Sequence, residues 1–302
     1  MTNDSTTAAA SESHAVKGAR SASAGRAPGP SGLANGGGIA GAAGELLLSL
    51  RGISKRFGPV TALDHVDLDI PAGQVTALVG DNGAGKSTLI KTISGIWQPD
   101  EGELFWSGEP VHVRTPREAA DLGIATVYQD LALCDNLDIV QNMFLGRETA
   151  HYALLDETSM ELSAKDTLSG LSVTSVRSIR QPVGSLSGGQ RQAVAVARAV
   201  MWQAKLAIMD EPTAALGVAQ TTMVLDVIRK LAAGGIAVIV ISHNLNDVFE
   251  VADRLAVLHL GRLVASGPAS EFDTQSTVEI MTTGAASSRG RAAVADAPEG
   301  KG

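Results

Sequence analysis

Short apolar runs punctuate this chain at residues 75–79, 124–128, 206–209 and 236–241. Each is four to six residues long and bounded by polar or turn-forming residues, the pattern of strands buried on both faces of a parallel sheet. A different rhythm precedes them. From Leu46 to Phe57, and again from Ala62 to Ile70, apolar residues such as Leu63, Val66, Leu68 and Ile70 partly alternate with polar ones. Such alternation marks antiparallel strands with one solvated face. Residues 102–113 read as a hairpin turning at Gly108, and residues 116–122 as a short helix opened by Thr115 and Pro116. From 137 to 170 the pattern turns helical: Asp138 is the cap, and Ile139, Val140, Met143 and Phe144 form one face. Residues 191–202 space Ala, Val and Met for burial along another helix. Strands alternating with helices predict an α/β fold. The antiparallel block forms a β subdomain in it, and residues of about 130–200 an inserted helical subdomain.

Residues 1–44 are mostly Ala, Ser, Gly and Thr with almost no large apolar side chains, and 285–302 share that composition. Neither segment can bury enough surface to offset its ordering entropy, so both are expected to be disordered tails around one domain at 45–284. The leading segment also lacks the continuous apolar stretch of a secretory signal. The 302 residues carry a net charge of −8. No basic patch dominates, which speaks against nucleic acid as a partner. Cys134 is the only cysteine, so no intrachain disulfide can form and a cytosolic setting is expected. No apolar run approaches the roughly 18 residues of a membrane-crossing helix. A role at a membrane must therefore run through another protein.

The chemistry is concentrated where the apolar runs end. The first opens into Gly80-Asp81-Asn82-Gly83-Ala84-Gly85-Lys86-Ser87-Thr88, with helical spacing from Ser87 to Ser94. Gly80 and Gly85 bracket four residues and Lys-Ser follows, the spacing that lets backbone N–H groups wrap phosphate oxygens at a strand-to-helix turn. Glycine permits the close approach, and the helix points its positive dipole end at the anion. Lys86 would reach the β- and γ-phosphates and the Ser87 hydroxyl would sit on Mg²⁺.

The run at 206–209 ends in Asp210-Glu211, and the run at 236–241 in Ser242-His243-Asn244. Two adjacent carboxylates are costly at an apolar strand tip unless they hold a cation or do acid–base work. In an open parallel sheet the carboxyl ends of the strands converge on one crevice. That is the geometry of a nucleoside triphosphatase: Asp210 would hold Mg²⁺, directly or indirectly, and Glu211 would polarise the attacking water. Three further features are ambiguous by themselves. Gln129, at the end of the run at 124–128, is polar punctuation; Phe57 is core, or an adenine stacker if it borders a nucleotide site. Ser187-Gly188-Gly189-Gln190 is a helix cap, or a set of free amides offered to an anion.

Leu186-Ser187-Gly188-Gly189-Gln190 ahead of a strand ending in Asp210-Glu211 makes residues 46–284 resemble the ATP-binding subunit of ABC transporters. The resemblance implies a P-loop NTPase (RecA-like) core that binds and hydrolyses ATP with Mg²⁺. By it, Gln129 touches Mg²⁺ and the transmembrane partner, His243 contacts the γ-phosphate, and Phe57 fills the usual aromatic position beside adenine. Ser187 to Gln190 would close over the ATP of an opposing subunit, so the resemblance implies a homodimer or a close paralogue as partner. It also implies permease subunits at the cytoplasmic face of the membrane. The wording Asp210-Glu-Pro-Thr-Ala-Ala-Leu-Gly-Val218, with Tyr128-Gln-Asp-Leu and Ile241-Ser-His-Asn, resembles the monosaccharide-importer branch, in its half-length form. That branch receives sugar from a binding protein outside the cell, which this chain would meet only indirectly. An ABC ATPase for a non-sugar substrate or for export is the alternative. A soluble member acting on ribosomes or DNA would need a tandem cassette or a coiled-coil insertion, and neither lies between Gly85 and Leu186. One position departs from the family: Gly217 stands where an aspartate is common.

Overall fold

The computed structural model of the chain describes residues 45–285 except 152, 153, 172, 174 and 175. The two expected tails therefore lie outside the described residues, apart from Ala285. The described chain opens with a hairpin, β1 (Leu46–Phe57) and β2 (Val60–Pro71), and then enters β3 (Val75–Val79) and α1 (Lys86–Ile93). A second hairpin, β4 (Glu101–Trp106) and β5 (Glu109–Val111), leads into α2 (Pro116–Leu122) and β6 (Ile124–Val127). There follow α3 (Ile139–Phe144), a short hairpin of β7 (Ala150–His151) and β8 (Leu154–Leu155), and α4 (Glu157–Gly170). The alternation then resumes through α5 (Gly188–Val200), β9 (Leu206–Asp210), α6 (Val218–Ala233), β10 (Ala237–Ile241) and α7 (Leu245–Val251). The last elements are β11 (Arg254–His259), β12 (Arg262–Pro268) and α8 (Thr274–Thr283).

Two sheets carry the structure: an antiparallel one in the order β2-β1-β4-β5 and a six-stranded one in the order β12-β11-β3-β10-β9-β6. In the second, all neighbours are parallel except β12, which pairs antiparallel with β11 at the edge. The continuous apolar runs have a direct cause in this layering. Along β10, Ala237, Ile239 and Ile241 pack toward α1 and the antiparallel sheet, while Val238 and Val240 pack toward α5 and α6. Both faces are dry, so no polar alternation is tolerated. Burying each such Val or Ile side chain is worth about 1.5–3 kcal/mol.

Thr115 caps α2 by accepting from the Glu118 N–H at 3.2 Å, and Pro116 follows at the first helical position, as the sequence predicts. Elsewhere the structure corrects the reading. The helical pattern at 137–170 is two helices separated by a hairpin, because Gly146, at φ +78°, follows the end of α3 in a conformation no helix continues. The helix expected at 191–202 begins earlier, at Gly188: Ser187 accepts from the Gln190 N–H and the Gln190 side chain accepts from the Ser187 N–H, a reciprocal cap that places both glycines in the first turn.

Candidate functional site

β3, β10 and β9 are immediate neighbours, and Ile241 of β10 stands level with Leu78 on one side and Asp210 on the other. Their carboxyl ends therefore release the glycine loop, Asp210-Glu211 and Ser242-His243 side by side. The Glu211 N–H donates to the Ile241 carbonyl at 2.9 Å and extends the pairing one residue past β9.

The loop is shaped by close backbone contacts. Gly85 has φ +106°, and a Cβ there would lie 2.6 Å from the Ala62 carbonyl oxygen. Gly80 is confined more tightly still, since a Cβ on it would run into the Leu258 carbonyl oxygen. Gly83, by contrast, faces open space with nothing within 4 Å. Crowding on the inner side and emptiness on the outer side suit a cradle for an anion. α1 has no side-chain cap, so its first amides are available to phosphate oxygens. Lys86 Nζ donates to the Gly80 carbonyl at 2.7 Å and the Asp81 carbonyl at 3.0 Å. Burial pulls its pKa down, against the opposing pull of Glu211, Asp81 and Asp210. A polyanion held by the loop would favour the charged ammonium. Gly85→Ala is expected to lose about 2 kcal/mol of folding stability through overpacking and backbone strain, read as an earlier urea midpoint; an unchanged midpoint would mean that Ala62 yields freely.

Burial raises the Asp210 pKa, and the neighbouring Glu211 charge raises it further against the pull of Lys86 and Lys91. A divalent cation would offset both effects. Among the described residues no group of three His, Cys, Asp or Glu side chains forms a metal site. The expected donors, Ser87, Gln129 and Asp210, are a hydroxyl, an amide and a carboxylate, oxygen groups of the kind that suit an ion arriving on phosphates and keeping several waters, as Mg²⁺ does. Glu211 adopts φ +51°, an uncommon conformation for a bulky residue and one enriched at functional sites. Its Oε2 lies 2.9 Å from His243 Nδ1. Behind them Thr213 Oγ1 donates to Asp247 Oδ2 at 2.7 Å, tying the turn after β9 to α7.

Phe57, at the end of β1, is 40% exposed, and its ring meets Trp97 edge-on at 4.7 Å. Trp97 in turn carries Lys91 Nζ 4.7 Å over its ring. Sequence reasoning misses Trp97 because nothing in its local pattern separates it from a core aromatic. Gln129 lies two residues beyond β6, exposed, with β9 as the neighbouring strand. Ser187 to Gln190 sit at the head of α5, where Gly188 and Gly189 lie against Leu216, Gln220 and Met223, whereas the glycine loop lies against Ala62 and Leu258.

Residues 63–214 match the family model described as ABC transporter. A fructose import ATP-binding protein of Rhizobium meliloti is 47% identical over 79% of this chain and 94% of its own length. The chain belongs to the ABC transporter family. A xylose/arabinose import ATP-binding protein of Sulfolobus acidocaldarius is 46% identical over 78% of this chain and 94% of its own length. Among solved structures, the ADP conformation of an ATP-binding cassette named MJ1267 superposes with a TM-score of 0.68 at 27% identity, covering 79% of this chain and 95% of that one. The P-loop NTPase fold expected of the sequence is thus the fold of this cassette.

Within the cassette the signature glycines have a packing role of their own. A Cβ on Gly189 would lie 2.9 Å from both Gln220 Cβ and Met223 Cε, so α5 can approach α6 this closely only with glycine there. The departure at Gly217 is the N-cap of α6, at φ −76° and ψ 162°, with no side-chain cap and open space for 4 Å around the point a Cβ would occupy. An aspartate fits that conformation and can accept from the open N–H groups of α6. Gly217→Asp is expected to raise stability by roughly 0.5–1 kcal/mol, seen as a higher thermal midpoint; a lower one would show that the added charge is repelled there.

Proposed function

We propose that this chain is the ATP-hydrolysing subunit of a monosaccharide importer. The observation that carries the catalytic half is the adjacency of the glycine loop, Asp210-Glu211 and His243 at three neighbouring strand ends. The names of the fructose and xylose/arabinose relatives support the sugar half. Residues 80–88 hold the triphosphate through loop amides and Lys86, and Phe57 stacks on adenine. Ser87, Gln129 and Asp210 hold Mg²⁺, which when bound neutralises charge on the phosphates. Glu211 accepts a proton from the attacking water, and His243, 2.9 Å from it, contacts the γ-phosphate. Ser187, Gly188, Gly189 and Gln190 meet the ATP of a second, identical or closely related subunit. ATP closes the dimer and hydrolysis reopens it.

The permease subunits dock at the cleft of about 360 Å³ beside Gln129, lined by Tyr128, Asp130, Arg147, Arg198 and Trp202. No helix among the described residues is long and apolar enough to cross a membrane; the cassette attaches peripherally to the cytoplasmic face through those subunits. An external binding protein delivers the sugar, which never touches this chain. The test is uptake of labelled pentoses and hexoses in cells whose native gene carries Lys86→Ala. Loss for one sugar alone is the expected result and names the cargo. Undiminished uptake of every sugar would move the assignment to a non-sugar substrate or to export.

A further inference from the structure

Between β6 and α3 the chain passes through Gln129, whose side chain makes no hydrogen bond or ion pair with the described residues. From Leu131 on, the situation reverses. Arg198 of α5 donates Nη2 to the Leu131 carbonyl at 3.1 Å and Nη1 to the Ala132 carbonyl at 2.8 Å. Asn142 of α3, fully buried, accepts from the Cys134 N–H at 2.7 Å and donates to the carbonyls of Cys134, Leu137 and Asp138. The stretch that leads into the signature is joined to the same residues: the Gly184 N–H donates to the Asp135 carbonyl and the Val183 N–H to the Leu137 carbonyl, at 2.9 and 3.0 Å. Residues 131–138 are thus fastened to the helices, whereas Gln129 is not.

Two costs mark the Arg198 contact as more than surface decoration. Its guanidinium is partly buried with no carboxylate within ion-pair distance among the described residues, and that burial lowers its pKa. Ala132, whose carbonyl it grips, sits at φ +48°, a left-handed conformation that is unfavourable for a residue with a Cβ. A strained turn persists only when its surroundings over-determine it. Ser187 and Arg198 lie at opposite ends of α5, about 16 Å apart at 1.5 Å per residue, on one rigid element.

We propose that Arg198 is a positioning residue for Gln129, which it serves by holding the Leu131–Ala132 turn to the helix that begins at the signature. The proposal rests on the reading of Gln129 as a contact to the nucleotide's metal ion. Because the gripped carbonyls and the signature are both attached to α5, the reach of Gln129 is set by where the signature stands.

The experiment pairs hydrogen exchange with a double-mutant cycle on the full chain. In nucleotide-free Arg198→Met, amide exchange across residues 128–134 should quicken at least about tenfold while β3, β9 and β10 stay protected. The KM for ATP should stay within about twofold and kcat fall on the order of tenfold, the consequence of a misplaced group. Adding Gln129→Ala should then cost no more than Gln129→Ala alone, because the two act as one unit. Unchanged exchange, or losses that multiply, would overturn the role of Arg198 and leave that of Gln129 standing. Wild-type turnover in Gln129→Ala alone would overturn the underlying reading, and the proposal with it. If Arg198→Met loses protection throughout the core, Arg198→Lys, which keeps the charge and can make one of the two bonds, decides: intermediate exchange supports the grip and wild-type exchange refutes it.

Discussion

Glu211→Gln is expected to bind ATP as tightly as the wild type or more so, and to hydrolyse it about 10²–10⁴-fold more slowly. The amide preserves the size of the side chain, the turn at φ +51° and a hydrogen-bonding atom toward His243 Nδ1. What it removes is the carboxylate proposed to take a proton from water at the end of β9. Asp210 does not substitute in this reading, because it is the proposed ligand of the cation. Affinity should not fall, since Glu211 contributes negative charge that Lys86 feels and that a triphosphate would oppose. Phosphate release measures the turnover, and a fluorescent ATP analogue the affinity. In size-exclusion chromatography with ATP the variant should run as a dimer that persists, because the reopening step is removed. Turnover within a few-fold of wild type would take the role of base away from Glu211.

Lys86→Ala is expected to weaken ATP binding on the order of 100-fold while leaving the nucleotide-free protein almost as stable. The two halves have separate causes. A charge-assisted hydrogen bond to phosphate is worth about 1.5–3 kcal/mol, and Lys86 is the loop's own cation. Among the described residues its ammonium donates only to the Gly80 and Asp81 carbonyls, and burial already disfavours its charge. Removing it therefore relieves a cost as it breaks two bonds. Thermal melts read both at once: the wild type should gain stability as ATP is added, by the logarithm of ligand over dissociation constant, and the variant should not. A variant that melts earlier without ATP and shifts normally with it would make Lys86 a structural residue.

Much of this cassette was legible in the sequence because the signals are local. Val75–Val79 followed by Gly80 to Thr88 is a strand, a turn and a helix in direct succession, and Thr115-Pro116 before α2 is a cap and a helix start read from two residues. Apolar runs that end in Asp210-Glu211 and in His243 carry their own chemistry at their tips. The sequence alone therefore determined the α/β class, the strand ends that matter and the family resemblance. It misplaced α3–α4 as one helical stretch because Gly146 breaks the backbone without breaking the apolar spacing, and it started α5 late because glycines look like loop until Gln220 and Met223 are seen pressing on them. Only the tertiary structure decided that β10 lies between β3 and β9, that Trp97 stands against Phe57, and that Arg198 holds carbonyls 66 and 67 residues away in the chain. Those contacts are non-local: each depends on which faces remain to be buried after every other element has packed, and no window of neighbouring residues contains that information.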